Sequence, residues 1–207
     1  MSREYKRKDS FYNKAKEEGY RSRAAYKLIE IDKKHRLLKQ NCKVLDLGCW
    51  PGGWLQVASK KVGPNGTVVG IDLVEIEELN EENVSFILGD MRDDENLEAI
   101  KEKAKTGYDV VLSDMSPKLS GIKELDAAQT VACGELALHT SFGVLKSGGA
   151  FVAKLFKNND TEIFVKSLRK HFAKVDRMEL DSTRGSSNEF YIIGLGFKPS
   201  SSSKEEF

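Results

Sequence analysis

The chain has 207 residues, of which 40% are apolar and 31% charged. That supports one packed domain of moderate size and excludes global disorder, and no apolar run approaches the ~20 residues of a membrane-spanning helix. The formal charge of +1 hides an imbalance: residues 1–43 carry 14 Lys and Arg against 6 Asp and Glu, the remainder 19 against 26.

Taken in chain order, residues 9–19 read as a short polar helix ended by Gly19. Ser22 is placed to cap a second helix running to about Lys34, with Ala25, Leu28 and Ile29 on its buried stripe. Val44 to Leu47 is a short apolar strand entering the turn Gly48-Cys49-Trp50-Pro51-Gly52-Gly53, and a helix follows from about Trp54 to Lys61. Thr67 to Ile71 and Val84 to Leu88 are further strands, ending at Asp72 and at Gly89-Asp90. A helix near 94–105 leads to the strand Tyr108–Leu112 and then Ser113-Asp114. A long helix, about 124–145, stops at Ser147-Gly148-Gly149, and Ala150 to Phe156 is a buried strand. Asn159 or Asp160 is expected to cap a helix to about His171. Asn188 to Phe197 supplies two apolar strand segments, or one long strand, closing the sheet. Strands alternating with helices predict an α/β fold: a mostly parallel, seven-stranded sheet with helices on both faces.

The charge pattern narrows the partners. A basic arm on a mildly acidic body (11 acids against 2 bases in residues 75–102) suits a polyanion met at one face, although a solvated charged helix has the same composition. Arg3, Lys6, Arg7, Lys8, Lys14, Lys16, Arg21 and Arg23 are the candidate phosphate contacts. Tyr5, Phe11, Tyr12 and Tyr20 are interleaved with them, to stack on bases or, for Phe11 and Tyr20 especially, to pack the arm onto the body. The charged start, Met1 to Lys6, does not read as a secretory signal. Cys42, Cys49 and Cys133 form no C-x-x-C pair, so neither a disulfide framework nor a zinc site is expected, and the cytoplasm is the expected location.

Four acids fall at or just after strand ends: Asp46, Asp72, Asp90 and Asp114. Ligands of open parallel sheets bind beyond those ends. The glycine turn does not match the dinucleotide pattern G-x-G-x-x-G, because Trp50 stands where the second glycine belongs. Asp46 places a carboxylate where a pyrophosphate is repelled but an ammonium is welcome. Asp72, 19 residues after Gly53, suits two ribose hydroxyls, and Asp90 suits the amine of adenine. Together these acids describe S-adenosylmethionine better than a dinucleotide.

The stretch Asp46 to Trp54 resembles the cofactor motif of the FtsJ-like RNA 2′-O-methyltransferases. Ser22 to Leu28, Ser113 to Pro117, Phe151 to Phe156 and Ser187 to Tyr191 resemble that family's other motifs, in order, over roughly residues 10–197. The resemblance is greatest to the single-domain branch that methylates large-subunit ribosomal RNA. Cys49-Trp50 departs from it, since many relatives carry small residues there.

The resemblance implies a Rossmann-like methyltransferase fold and S-adenosylmethionine held by Asp46, Gly48, Pro51, Gly52, Gly53, Trp54, Asp72, Asp90 and Asp114. It implies a catalytic tetrad of Lys27, Asp114, Lys154 and Glu189, with no metal, and methylation of a uridine ribose in large-subunit ribosomal RNA, within the subunit. Each tetrad residue has a plainer alternative. Lys27 can pair with Glu30 at i+3, Glu189 can guard a strand edge, and Asp114 can cap a turn. Lys154 is harder to explain away, being the one charge in an otherwise buried strand. As a general base it needs a depressed pKa; as a charged orienter it does not. The expected organisation is a basic, helical RNA-binding extension (1–42), a catalytic domain (43–197) and a disordered tail (198–207), acting as a monomer away from membranes. A transfer-RNA methyltransferase and a ribosome-assembly RNA-binding module are the alternatives.

Overall fold

The computed structural model describes residues 10–117, 120–183 and 188–199. Arg3, Tyr5, Lys6, Arg7 and Lys8 of the arm, Ser187 and the expected disordered tail beyond Pro199 lie outside the described residues.

Seven strands form one sheet in the order β3-β2-β1-β4-β5-β7-β6. They are β1 (Lys43–Leu47), β2 (Thr67–Asp72), β3 (Val84–Leu88), β4 (Tyr108–Ser113), β5 (Leu145–Phe156), β6 (Phe172–Met178) and β7 (Glu189–Phe197). β1 to β5 pair in parallel, and β7 runs antiparallel to both β5 and β6. The helices are α1 (Ser10–Glu17), α2 (Ala25–His35), α3 (Gly53–Val62), α4 (Asp94–Lys103), α5 (Lys123–Val144) and α6 (Asn159–Leu168). This is the predicted mostly parallel, two-faced α/β architecture.

Strand periodicity sorts the side chains between two cores. Leu45, Leu47, Val111, Phe151, Ala153, Leu155, Phe190 and Ile192 pack with residues of α4, α5 and α6. Val44, Val110, Leu112, Val152, Tyr191 and Ile193 pack with Ala25, Leu28 and Ile31 of α2 and with α3. The same alternation assigns Asp46, Lys154 and Glu189 to the α2/α3 side. Strand order reverses between β1 and β4, so a switch-point crevice opens where the glycine turn leaves β1 and Asp114 follows β4.

Several local expectations are corrected. Ser22 does not cap α2. The N-cap is Ala24, and a tight turn of backbone bonds from Ala25, Tyr26 and Lys27 to Ser22, Arg23 and Ala24 carbonyls leads into the helix. Asn158, not Asn159 or Asp160, caps α6, in a reciprocal box with Thr161. β5 begins directly at Leu145, which pairs with Tyr108. Its register against β4 then shifts before Ala150 meets Val110, so the Ser147-Gly148-Gly149 stretch is an excursion within the strand. β6 was not anticipated, because its Phe-Ala-Lys-Val-Asp-Arg-Met sequence has the mixed polarity of a sheet edge. Of the two readings of the last apolar stretch, the single long strand holds, over Glu189–Phe197.

Candidate active site

The glycine turn is braced from three directions. Gly48 and Cys49 donate their N–H groups to Ile71 O, and Trp50 N donates to Asp72 Oδ2 at 2.8 Å. Gly52 adopts φ +104° as the N-cap of α3, a conformation that disfavours any side chain. At Gly53 a Cβ would lie 2.5 Å from Ser22 Oγ, so only glycine lets the α2 entry sit this close. Pro51 O accepts from Arg21 Nη1 at 3.4 Å. Trp54 is buried, and its indole donates to Ala24 O at 2.7 Å.

Arg21, expected as a phosphate contact, is also held by main-chain partners of the body. Besides Pro51 O it donates to Glu77 O at 2.5 Å and Glu78 O at 2.6 Å, clasping the loop after β2 to the cofactor turn. Phe11 and Tyr20 pack on Tyr26, with ring centroids 5.5 and 5.8 Å away, which supports the packing alternative. Lys14 pairs with Glu18 and lies over the Tyr26 ring, whereas Lys16 and Tyr12 face solvent.

Asp46 is 1% exposed, and neither carboxylate oxygen has a hydrogen-bond partner among the described residues. Burial pushes its pKa well up, with the charges of Asp114 and Asp72 adding to the effect. Ser22 Oγ is likewise buried without a partner. A buried acceptor pair at the end of β1, and a buried hydroxyl against Gly53 at the start of α3, have the chemistry to meet the ammonium and carboxylate of an amino acid. They fit the amino-acid end of S-adenosylmethionine and give a pyrophosphate no place. Asp72 also accepts from Val74 N at 2.9 Å, leaving lone pairs for hydroxyls. Asp90 is bound to its near neighbour: both oxygens accept from Arg92 Nε at 3.0 Å, and that guanidinium holds its pKa down. Any adenine amine must share this carboxylate with Arg92.

The four tetrad candidates come together from α2, the end of β4, β5 and β7. Lys27 Nζ lies 2.6 Å from Glu189 Oε1 and 4.0 Å from Asp114 Oδ1. Lys154 Nζ lies 3.1 Å from Asp114 Oδ1 and donates to the Asp114 main-chain carbonyl at 2.6 Å. The Lys27 and Lys154 side chains are each 7% exposed, and lysines are that buried only when paired. Burial alone raises the Glu189 pKa, but its bond to Lys27, helped by Thr183 and Lys154, brings it below the usual range. The i+3 alternative for Lys27 is overturned, because Glu30 instead accepts from Asp181 N, Ser182 N and Ser182 Oγ. The edge and turn alternatives for Glu189 and Asp114 do not explain these contacts.

Sequence reasoning missed Tyr191. Its hydroxyl donates to Asp114 Oδ1 at 2.5 Å, and Lys27 Nζ lies 5.5 Å from its ring centroid. Burial, then Asp114, pushes the phenol pKa well up, keeping it a donor. The available signal was its place two residues after Glu189 on the same strand face.

This sheet order, with a buried carboxylate at the switch point, defines a Rossmann-like methyltransferase of the S-adenosylmethionine-dependent class. The profile of the FtsJ-like methyltransferase family matches residues 20–197, and the chain belongs to that family. A protein of Halorubrum lacusprofundi named ribosomal RNA large subunit methyltransferase E is 40% identical over 91% of this chain and 71% of its own. A protein of the same name from Dechloromonas aromatica is 43% identical over 90% of each chain. Among solved structures, a Plasmodium falciparum protein described as a ribosomal RNA methyltransferase superposes with a TM-score of 0.76 at 30% identity, covering 86% of this chain and 98% of that one. Aeropyrum pernix fibrillarin with bound S-adenosyl-L-methionine shares the fold at TM-score 0.53 and 14% identity, over 77% of this chain and 68% of its own.

Proposed function

We propose that the protein methylates a ribose 2′-hydroxyl of RNA, and that the RNA is large-subunit ribosomal RNA, with a uridine as the target. The observation that carries this reading is the buried Lys27–Glu189 and Lys154–Asp114 pairing beside the crevice. S-adenosylmethionine carries its methyl group on a sulfonium, already activated for attack by an oxygen nucleophile. Asp46 and Ser22 would hold its amino-acid end, Asp72 its ribose and Asp90 its base. Gly48, Pro51, Gly52, Gly53 and Trp54 would shape the turn beneath it.

The chain's remaining task is to align one hydroxyl and provide for its proton. Alignment of reacting groups is worth roughly 7–11 kcal/mol. Lys154 Nζ is fixed by two oxygens of Asp114, which sets its direction toward the crevice. As a neutral amine Lys154 would take the hydroxyl's proton as the oxygen takes the methyl group; as an ammonium it would orient the hydroxyl, whose proton would pass to water. Asp114 and Glu189 hold the two lysines in place, and Lys27 adds positive charge against the oxyanion character that develops. The basic extension, residues 1–42, would bind RNA phosphates through those cations the fold leaves in solvent, such as Lys16.

In this reading the protein acts as a monomer. No helix among the described residues is long and apolar enough to cross a membrane. The reading places the protein in the cytoplasm with its ribosomal substrate.

The test is methyl transfer from labelled cofactor to whole large subunits, naked large-subunit rRNA and tRNA, all from cells lacking the gene, with ribose-specific mapping of the product. One 2′-O-methyl on large-subunit rRNA is the expected result. A product on tRNA alone overturns the substrate but keeps the chemistry. Bound cofactor with no transfer to any RNA overturns the enzymatic reading in favour of an assembly role.

A further inference from the structure

Glu30 lies one helical turn beyond Lys27 on α2, and its carboxylate is spent on the segment that follows β6. Oε1 accepts from Asp181 N at 2.9 Å. Oε2 accepts from Ser182 N at 3.2 Å and from Ser182 Oγ at 3.0 Å. The next residue, Thr183, donates Oγ1 to Glu189 Oε1 at 2.8 Å, the same oxygen that meets Lys27 Nζ at 2.6 Å. Two side chains one turn apart on α2 thus hold two neighbouring parts of the site: Glu30 the Asp181–Ser182 turn and Lys27 the Glu189 carboxylate.

We propose that Glu30 is a positioning residue for Glu189. It fixes the Asp181–Thr183 turn so that the Thr183 hydroxyl locks one rotamer of the Glu189 carboxylate, which in turn places the Lys27 ammonium. This rests on the tetrad reading above. Glu30 is bonded to the turn, not to the reacting groups, so it acts through Thr183.

The chemistry of the contact explains why a carboxylate is needed. Both of its ends face donors, and main-chain N–H bonds to a charged acceptor are stronger than neutral ones. A glutamine turns one end into an NH₂ facing a donor. The Glu189 side is different. There the Lys27 ammonium and the Thr183 hydroxyl converge on one oxygen, and the hydroxyl ties that oxygen to the turn that Glu30 holds.

The test compares Glu30→Gln, Thr183→Val, Thr183→Ser and the double variant Glu30→Gln/Thr183→Val, on the RNA that accepts methyl in the transfer assay. Glu30→Gln and Thr183→Val are each expected to lower kcat about 10–100-fold, the cost of a small misplacement at a reacting centre, while cofactor Kd stays unchanged. Thr183→Ser, which keeps the hydroxyl, retains kcat. The double variant is no worse than the poorer single one, because both act on one contact. Hydrogen exchange of the Asp181 and Ser182 amides quickens in Glu30→Gln and not in Thr183→Val.

Normal kcat in Glu30→Gln with quickened exchange overturns the proposal, leaving a purely structural tether. Multiplicative losses in the double variant also overturn it. Glu189→Gln is assayed alongside. Its retention of full kcat brings down the tetrad reading itself. Its inactivity beside a normal Glu30→Gln brings down only the positioning role.

Discussion

The ammonium of Lys154 is bonded twice to a single residue, at 2.6 Å to the main-chain oxygen of Asp114 and at 3.1 Å to its carboxylate. The main-chain bond ties the lysine to the backbone where β4 ends, a rigid reference that no rotamer change of Asp114 can move. Tyr191 then anchors the carboxylate from β7.

Replacing Lys154 by alanine removes the group nearest the proposed proton path and leaves the glycine turn untouched. Transfer of labelled methyl should be lost, general-base assistance alone being worth about 10²–10⁴-fold. Cofactor affinity by calorimetry should stay within about twofold, far below the 1.4 kcal/mol of a tenfold change. Near-normal turnover in this variant would end the assignment.

Asp46 predicts a trade between stability and binding. Its folded-state pKa lies above the unfolded value of about 3.9. The folded state therefore holds the extra proton, and stability falls as pH rises from ~4 through the raised pKa. Asp46→Asn removes that loss. The cofactor-free variant should melt higher than the parent at neutral pH, by about 2–4 °C for each kcal/mol recovered, and no higher below pH ~4. Its cofactor affinity should fall about 10–100-fold, the cost of losing one charge-assisted contact. Equal melting temperatures at pH 4 and pH 7.5 relative to the parent would contradict this account.

Arg21→Met separates a clasp from a phosphate contact. Loss of the bonds to Pro51, Glu77 and Glu78 should weaken cofactor binding several-fold, as expected for two or three hydrogen bonds of about 1 kcal/mol that act only through loop order. The salt dependence of RNA binding should not change. A slope flattened by about 0.7–0.9, with cofactor affinity intact, would restore the phosphate role.

Lys16 is the complementary case. It is exposed on α1 and, among the described residues, has no fixed partner of the kind Arg21 has. Lys16→Glu should weaken RNA binding and lower the salt slope by about one unit, with no effect on cofactor affinity. RNA titrations at several ionic strengths measure both.

The fold was legible because β1 to β4 are short, largely aliphatic runs that end in or lead directly to an acid or a glycine, and because Ala150–Phe156 of β5 is an apolar run with one charge. The edge strand β6 lacked that signal. Only Phe172 is buried, and Lys174, Asp176 and Arg177 interrupt the apolar pattern. The tetrad was legible as motifs, and Lys154 stood out as a charge in an apolar strand. Partnerships were less so. Lys27 and Glu30 look like an i+3 pair in one dimension, yet each is claimed by a residue more than 150 positions away. Arg21 looked like a free cation because its partners are main-chain carbonyls, which carry no signature in a sequence. Tyr191 was hidden by its ordinary place in a buried strand.

Lys27 enters the site from the second helix and Glu189 from the last strand, with nearly the whole sheet between them in sequence. The contact therefore depends on β7 being seated beside β5, so a chain whose last strand is displaced loses the ion pair that completes the cluster while its α2–α3 packing need not change.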